Sequence, residues 1–100
     1  MTIGIYTISS SHSDRLYVGS SVNIIKRFKD HITKLIAGKH HSYKLQNHFN
    51  ACKPILTLNI IDECDESELA PLEYFYINYY DAVNNGFNVT YDTRRRKPYG

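Results

Sequence analysis

A small α+β domain is what this sequence predicts, and three observations carry that expectation. Two β-prone runs, Ile3 to Ile8 and Leu16 to Val18, flank the polar stretch Ser9-Ser10-Ser11-His12-Ser13-Asp14. Apolar residues then recur at helical spacing through two segments. An alternating run and a last helical segment follow, giving the order β-β-α-α-β-α plus a short tail strand. One hundred residues make one domain with a modest core.

The first two runs read as a β-hairpin joined by the polar turn. Along the first strand Ile3, Ile5 and Thr7 face one side, and Gly4, Tyr6 and Ile8 the other. Ser21 is suited to cap a helix over roughly residues 22 to 37, with Gly38 as its C-cap. Ile24, Ile25, Phe28, Ile32, Leu35 and Ile36 form its core stripe. Ser42 opens a shorter helix, with Leu45, Phe49 and Cys52 inward, that stops before Pro54. Leu56, Leu58 and Ile60 alternate with Thr57, Asn59 and Ile61 in a third strand. Asp65 and Glu68 suit the capping pair of a third helix running to about Tyr80. Pro71 is tolerated only near a helix start, so the entry turn is kinked or the helix begins later. Tyr74, Tyr76, Tyr79 and Tyr80 read as amphipathic packing residues. Asn84-Asn85-Gly86 is a turn, and Phe87 to Tyr91 a closing strand or extended segment. The domain covers residues 1 to 93. Residues 94 to 100 read as a basic tail, the boundary or the start of a linker.

At 42% hydrophobic the chain is globular, and no apolar run approaches the length of a membrane span. Met1-Thr2-Ile3 leads straight into a strand without a signal peptide. Cys52 and Cys64 lack metal-ligand spacing, which fits reduced packing residues in an intracellular protein and no disulfide. The net charge of +2 is segregated along the chain. Residues 1 to 53 carry eight Lys/Arg against Asp14 and Asp30, residues 54 to 93 carry eight acids and no Lys or Arg, and Arg94-Arg95-Arg96-Lys97 closes the chain. A nucleic acid would approach the first helix, the loop after it and the tail, away from the acidic stretch Asp62 to Glu68.

Phosphodiester hydrolysis needs an activated water, charge stabilisation on the phosphoryl oxygens and help for the departing oxyanion. Tyr6 and Tyr17 place two phenols toward one patch. Arg27 and His31, four apart, share a helix face. Glu73 stands among Leu69, Leu72, Tyr76 and Ile77, where a carboxylate lacks an easy route to solvation unless it meets a cation. Taken singly, each has a plainer reading. Glu73 is an exposed helix acid, Arg27 a solvated base beside Lys26 and Lys29, and His31 a packing residue.

Their order along the chain is more specific. Gly4-Ile5-Tyr6 and Tyr17-Val18-Gly19, followed by Arg27, His31, Glu73 and Gly86-Phe87-Asn88, resemble the GIY-YIG nucleases over residues 3 to 91. Tyr-Val-Gly stands where the family has Tyr-Ile-Gly. Gly38 to Asn50, with His40 and Lys44-Leu45-Gln46, resembles the intron homing-endonuclease branch. The resemblance implies a three-stranded antiparallel sheet flanked by helices, and a metal-dependent DNA endonuclease. It implies Glu73 as the sole protein ligand of one Mg²⁺ or Mn²⁺, and Arg27 as the phosphate clamp. Tyr6 is expected as the general base, with Tyr17 as its partner or a phosphate ligand, although the two roles could be exchanged. His31 is expected to transfer a proton or donate to phosphate. Lys26 and His40 are expected contacts to the nucleic acid, and Asn88 a brace of the site that also belongs to that surface. Two other readings remain: a non-catalytic nucleic-acid-binding module on the same fold, and a repair or restriction nuclease. With so little basic surface, the domain alone should bind DNA weakly and with loose sequence preference.

Overall fold

A computed structural model describes residues 1–91, so the basic tail at 94 to 100 lies outside the described residues. β1 (Gly4–Ser10) and β2 (Ser13–Ser21) form the expected hairpin, with Tyr6 opposite Gly19 and Ile8 opposite Tyr17. The turn is shorter than the polar stretch suggests, because serines finish the strands. Ser10 Oγ accepts from the His12 amide at 3.0 Å, and Ser13 Oγ from the Arg15 amide at 3.0 Å. β3 (Leu56–Glu63) pairs antiparallel with the other side of β1, giving the order β2-β1-β3.

Both sheet faces are covered. Helices α1 (Ile24–Ala37) and α2 (Tyr43–Cys52) lie over the face carrying Tyr6, Ile8 and Tyr17, where Leu35, Leu45 and Phe87 complete one core. On the other face Ile5 and Val18 pack with Leu69, Ile77 and Ala82 from α3 (Leu69–Tyr79) and the turn after it. The strand parity read from the sequence therefore separates two cores rather than a core from solvent.

Several local expectations are corrected. Asn23, not Ser21, caps α1, its side chain accepting from Lys26 N. Ser21 Oγ accepts from Asn23 N one step earlier. Gly38 closes the helix at φ 75°, as its lack of Cβ permits. Within the α1 stripe, Ile25 and Ile36 are 48% and 72% exposed, and the buried member that replaces them is His31. The stripe is narrower than the sequence indicates because a polar cluster occupies the middle of the interface. Cys52 is exposed at the last residue of α2, beyond the reach of the core.

In β3 Ile60 keeps the face of Leu58, opposite Tyr6, but is 42% exposed, and Ile61 faces the α3 core; the extra residue at this point sets Asp62 opposite Ile5. An extra residue in one strand reverses its alternation beyond that point. The third helix begins later, as Pro71 allows. A 3₁₀ turn over Glu66–Glu68 precedes it, with the Asp65 amide donating to Glu68 Oε1 at 3.0 Å. Tyr76 and Tyr80 pack on the core, but Tyr74 and Tyr79 stand exposed on the outer face of α3. Residues 87–91 form no strand: Phe87 lies in a bend and residues 88–91 have no regular secondary structure. Among the described residues no helix is long and apolar enough to cross a membrane.

Candidate active site

Strand pairing brings the two tyrosine motifs together. Tyr6 on β1 lies over Gly19 on β2, and a Cβ at position 19 would run into Cζ and Oη of the phenol. Glycine is needed there for close approach. Tyr17, two pairs further along, points to the same face, and both rings are buried. Each hydroxyl meets a histidine: Tyr6 Oη lies 2.6 Å from His31 Nε2, and Tyr17 Oη 2.8 Å from His41 Nε2.

The histidines form a cluster of their own. His31 Nδ1 lies 2.6 Å from His40 Nε2, and the His40 and His41 rings stack with centroids 4.4 Å apart. His31 comes from α1, while His40 and His41 come from the loop that Gly38 turns back toward the sheet. The Ser42 amide donates to His40 Nδ1 at 3.0 Å, and the His40 amide donates to Gln46 Oε1 at 3.0 Å. Burial first, then the positive charge of Arg27, pushes the His31 pKa down to about 2. Burial followed by the neighbouring His41 and Arg27 pushes His40 down to about 4. His41 is lowered to about 4 by burial of its packed ring face and by Arg27 and Lys34, although its outer edge is exposed. All three imidazoles are therefore neutral at pH 7.

Arg27 and Glu73 reach this patch from opposite layers. Arg27 sits in the first turn of α1 and Glu73 on α3, both half-buried. Burial and the Glu73 carboxylate raise the Tyr17 pKa well above the ordinary phenol value, and Arg27 opposes them. Both raising influences favour the protonated phenol of Tyr17. Ser20 Oγ donates to Glu73 Oε1 at 2.5 Å, which aims the carboxylate. Among the described residues no three His, Cys, Asp or Glu side chains are arranged to hold a metal ion. A divalent ion at Glu73 would take its other ligands from water and phosphate, a set that suits Mg²⁺.

Asn88 braces the patch from outside β2. Its Oδ1 accepts from Val18 N at 2.8 Å and its Nδ2 donates to Val18 O at 2.9 Å, so one side-chain amide replaces a neighbouring strand. The Phe87 amide adds a bond to Leu16 O at 2.9 Å. Gly86 permits this approach, since a Cβ there would strike Leu16 O and Ala82 O.

A sequence model of the GIY-YIG catalytic domain matches residues 2–88. The chain belongs to the GIY-YIG family of endonuclease catalytic domains. It is 33% identical over 91 residues to the intron-associated endonuclease 1 of Enterobacteria phage T4, covering 89% of this chain and 37% of that protein. The chain thus spans well under half the length of the curated relative it matches. Among solved structures, a point variant of the catalytic domain of intron endonuclease I-TevI superposes with a TM-score of 0.87 at 31% identity. That match covers 92% of this chain and 97% of the other. A second structure of the same catalytic domain gives 0.83 at 31% identity, covering 88% and 98%.

In this GIY-YIG domain, His31 contacts both Tyr6 and Tyr17, and the charges of Arg27 and Glu73 bear on the same cluster. Three expected nucleic-acid contacts sit differently. Lys26 is exposed beside Arg27, as a phosphate contact requires. His40 is 8% exposed with both ring nitrogens engaged inside the protein, and Asn88 is 5% exposed with its amide turned onto Val18. Burial explains both placements, because neither polar group has a face left toward solvent. Sequence reasoning missed His41, Ser20 and Gln46. Ser20 was legible in part, since strand parity sets it opposite Gly19 and toward the face of Val18. Nothing local marks His41 or Gln46, whose partners lie 24 and 11 residues away.

Proposed function

We propose that this domain is a divalent-metal-dependent DNA endonuclease module of the homing type, hydrolysing phosphodiesters with a single metal. The observation that carries the reading is the convergence of two phenols, one guanidinium and one carboxylate around a dry histidine cluster. Glu73, held by Ser20, is the side chain that would bind Mg²⁺ or Mn²⁺. When bound, the ion supplies charge stabilisation at the phosphoryl and leaving oxygens. Arg27 takes a non-bridging phosphate oxygen in a forked contact and neutralises developing charge. Tyr6 is the base: with its own hydroxyl hydrogen first lost to solvent, the phenolate accepts the proton of the attacking water and returns to the phenol, while Tyr17 is held as a phenol by burial and by Glu73. Tyr17, whose hydroxyl lies 2.8 Å from His41 Nε2 at rest, offers its hydroxyl hydrogen to phosphate when substrate is seated.

DNA approaches over the exposed Lys26, Lys29, Lys34 and Lys39 on α1 and the loop after it, opposite in charge to the acidic Asp62 to Glu68 segment. Binding by this domain alone is weak and loosely sequence-dependent, since the exposed cations here are few and contact backbone phosphate rather than base edges.

A plasmid-nicking assay in Mg²⁺ or EDTA on wild type, Glu73→Ala and Arg27→Ala tests the proposal. Metal-dependent nicking should fall by at least about 100-fold in both variants, whose thermal unfolding should match wild type. DNA binding without nicking in the wild-type domain would instead favour a non-catalytic binding module.

A further inference from the structure

We infer that His40 is a positioning residue, which acts through His31 to present an imidazole N–H to the Tyr6 oxygen. The inference rests on the reading of Tyr6 as the base. It turns on one group whose polarity is not in question, the backbone amide of Ser42.

That amide can only donate, and it points at His40 Nδ1 from 3.0 Å. His40 Nδ1 must offer a lone pair, so a neutral His40 carries its hydrogen on Nε2. His40 Nε2 lies 2.6 Å from His31 Nδ1, which must therefore accept. The same rule applied to His31 places its hydrogen on Nε2, 2.6 Å from Tyr6 Oη. The chain runs in one direction, from the Ser42 amide through two imidazoles to the phenol oxygen. Its reversal would set a His40 Nδ1–H against the Ser42 N–H, two donors at hydrogen-bonding distance. Double protonation of either ring is opposed by burial and by the charge of Arg27.

The surroundings hold this direction. The Ser42 hydroxyl donates to Phe87 O at 2.5 Å, which pins the anchoring residue. Gln46 accepts the His40 amide and donates through Nε2 to Leu35 O at 3.0 Å and to Asn50 Oδ1 at 2.9 Å. His41 stacks on the free face of His40. The consequence for Tyr6 is specific. Because His31 donates to it, the tyrosine's own hydroxyl hydrogen is directed away from His31. Once that hydrogen has passed to solvent, before water attacks, an N–H donor still faces the oxygen and stabilises the phenolate, the form that accepts water's proton. His31 and His40 are thus committed to Tyr6, with no nitrogen left for phosphate.

Nitrogen-resolved NMR of histidine-labelled protein at neutral pH reads the tautomers directly, without reference to activity. The expected result is a protonated Nε2 and a bare Nδ1 on both His31 and His40. A His31 protonated on Nδ1, or on both nitrogens, would overturn the inference.

Two variants then reverse or preserve the direction. In His40→Glu the carboxylate can only accept from His31 Nδ1, so the His31 hydrogen should move there. Nicking should fall on the order of 100-fold with unchanged DNA affinity. In His40→Gln the side-chain amide can still donate, so the His31 tautomer should persist and nicking should exceed that of His40→Ala. Weakened DNA binding in these variants with an unaltered His31 tautomer would instead make His40 a phosphate contact. If the variants fail to fold, the wild-type spectrum alone decides. A wild-type protein with the expected tautomers but no nicking would refute the nuclease proposal and leave the hydrogen-bond direction standing.

Discussion

Gly19 does as much for the chemistry as the tyrosine it faces. The Tyr6 ring rests where a Cβ at 19 would be, so Gly19→Ala must displace either the phenol or β2. Over-packing of this kind costs about 1 to 3 kcal/mol. Gly19→Ala should lose that much stability in urea titration, and its residual nicking should fall further than the folded fraction explains. Retention of full activity with normal stability would mean that Tyr6 can work from another position. Ser20 operates at the same scale on the opposite face of the strand, where its 2.5 Å bond to Glu73 sets the direction of a carboxylate that a helix alone would leave free to rotate.

Elements succeed here by substituting for one another. β2 is an edge strand whose outer backbone groups at Leu16 and Val18 are satisfied by Phe87 and the Asn88 side chain rather than by a fourth strand. The segment that presents them is tied from the other side by Lys44, whose Nζ donates to Val83 O at 2.5 Å and Asn88 O at 3.1 Å. Asn88→Ala leaves the buried Val18 N–H and C=O without these partners. It should destabilise the domain by about 2 to 4 kcal/mol. Asn88→Asp keeps an acceptor for the amide but sets an anionic oxygen against Val18 O, so it should do no better. Chemical denaturation checks both, and a loss below about 0.5 kcal/mol would show that the brace is dispensable.

For the whole molecule, the histidine cluster makes folding a function of pH. His31 and His40 are buried and neutral, with pKa values lowered to about 2 and about 4 from the ordinary 6.5. A group held below its unfolded pKa adds stability that is complete above that unfolded value. This contribution falls as protons are taken up by the unfolded chain. Unfolding free energy should therefore drop between pH 7 and pH 5, by about 2 to 4 kcal/mol for the two buried rings. A flat profile over that range would mean that the rings titrate normally in the native state.

The sequence by itself determined the element order, the strand parity that sets Tyr6 and Tyr17 on one face, and the family to which the chain belongs. These depend on short-range periodicity and on motifs a few residues long, which survive without knowledge of what lies across the core. Pro71 and Gly38 were readable for the same local reason. Tertiary structure alone decided where polar side chains turn. His40 looks like part of an exposed basic loop and His31 like an ordinary packing residue, yet both are buried with all four nitrogens met, by each other, by Tyr6 and by the Ser42 amide. Asn88 was expected as a brace that also faces nucleic acid; only the structure shows what it braces, the Val18 backbone 70 residues away, with its amide turned inward. Ile60 stayed opposite Tyr6 yet is left 42% exposed, and the bulge beyond it turns Asp62 onto the face of Ile5. A hydrogen-bond partner distant in sequence leaves no periodic signal, and a neutral imidazole is legible only once the groups around both nitrogens are known.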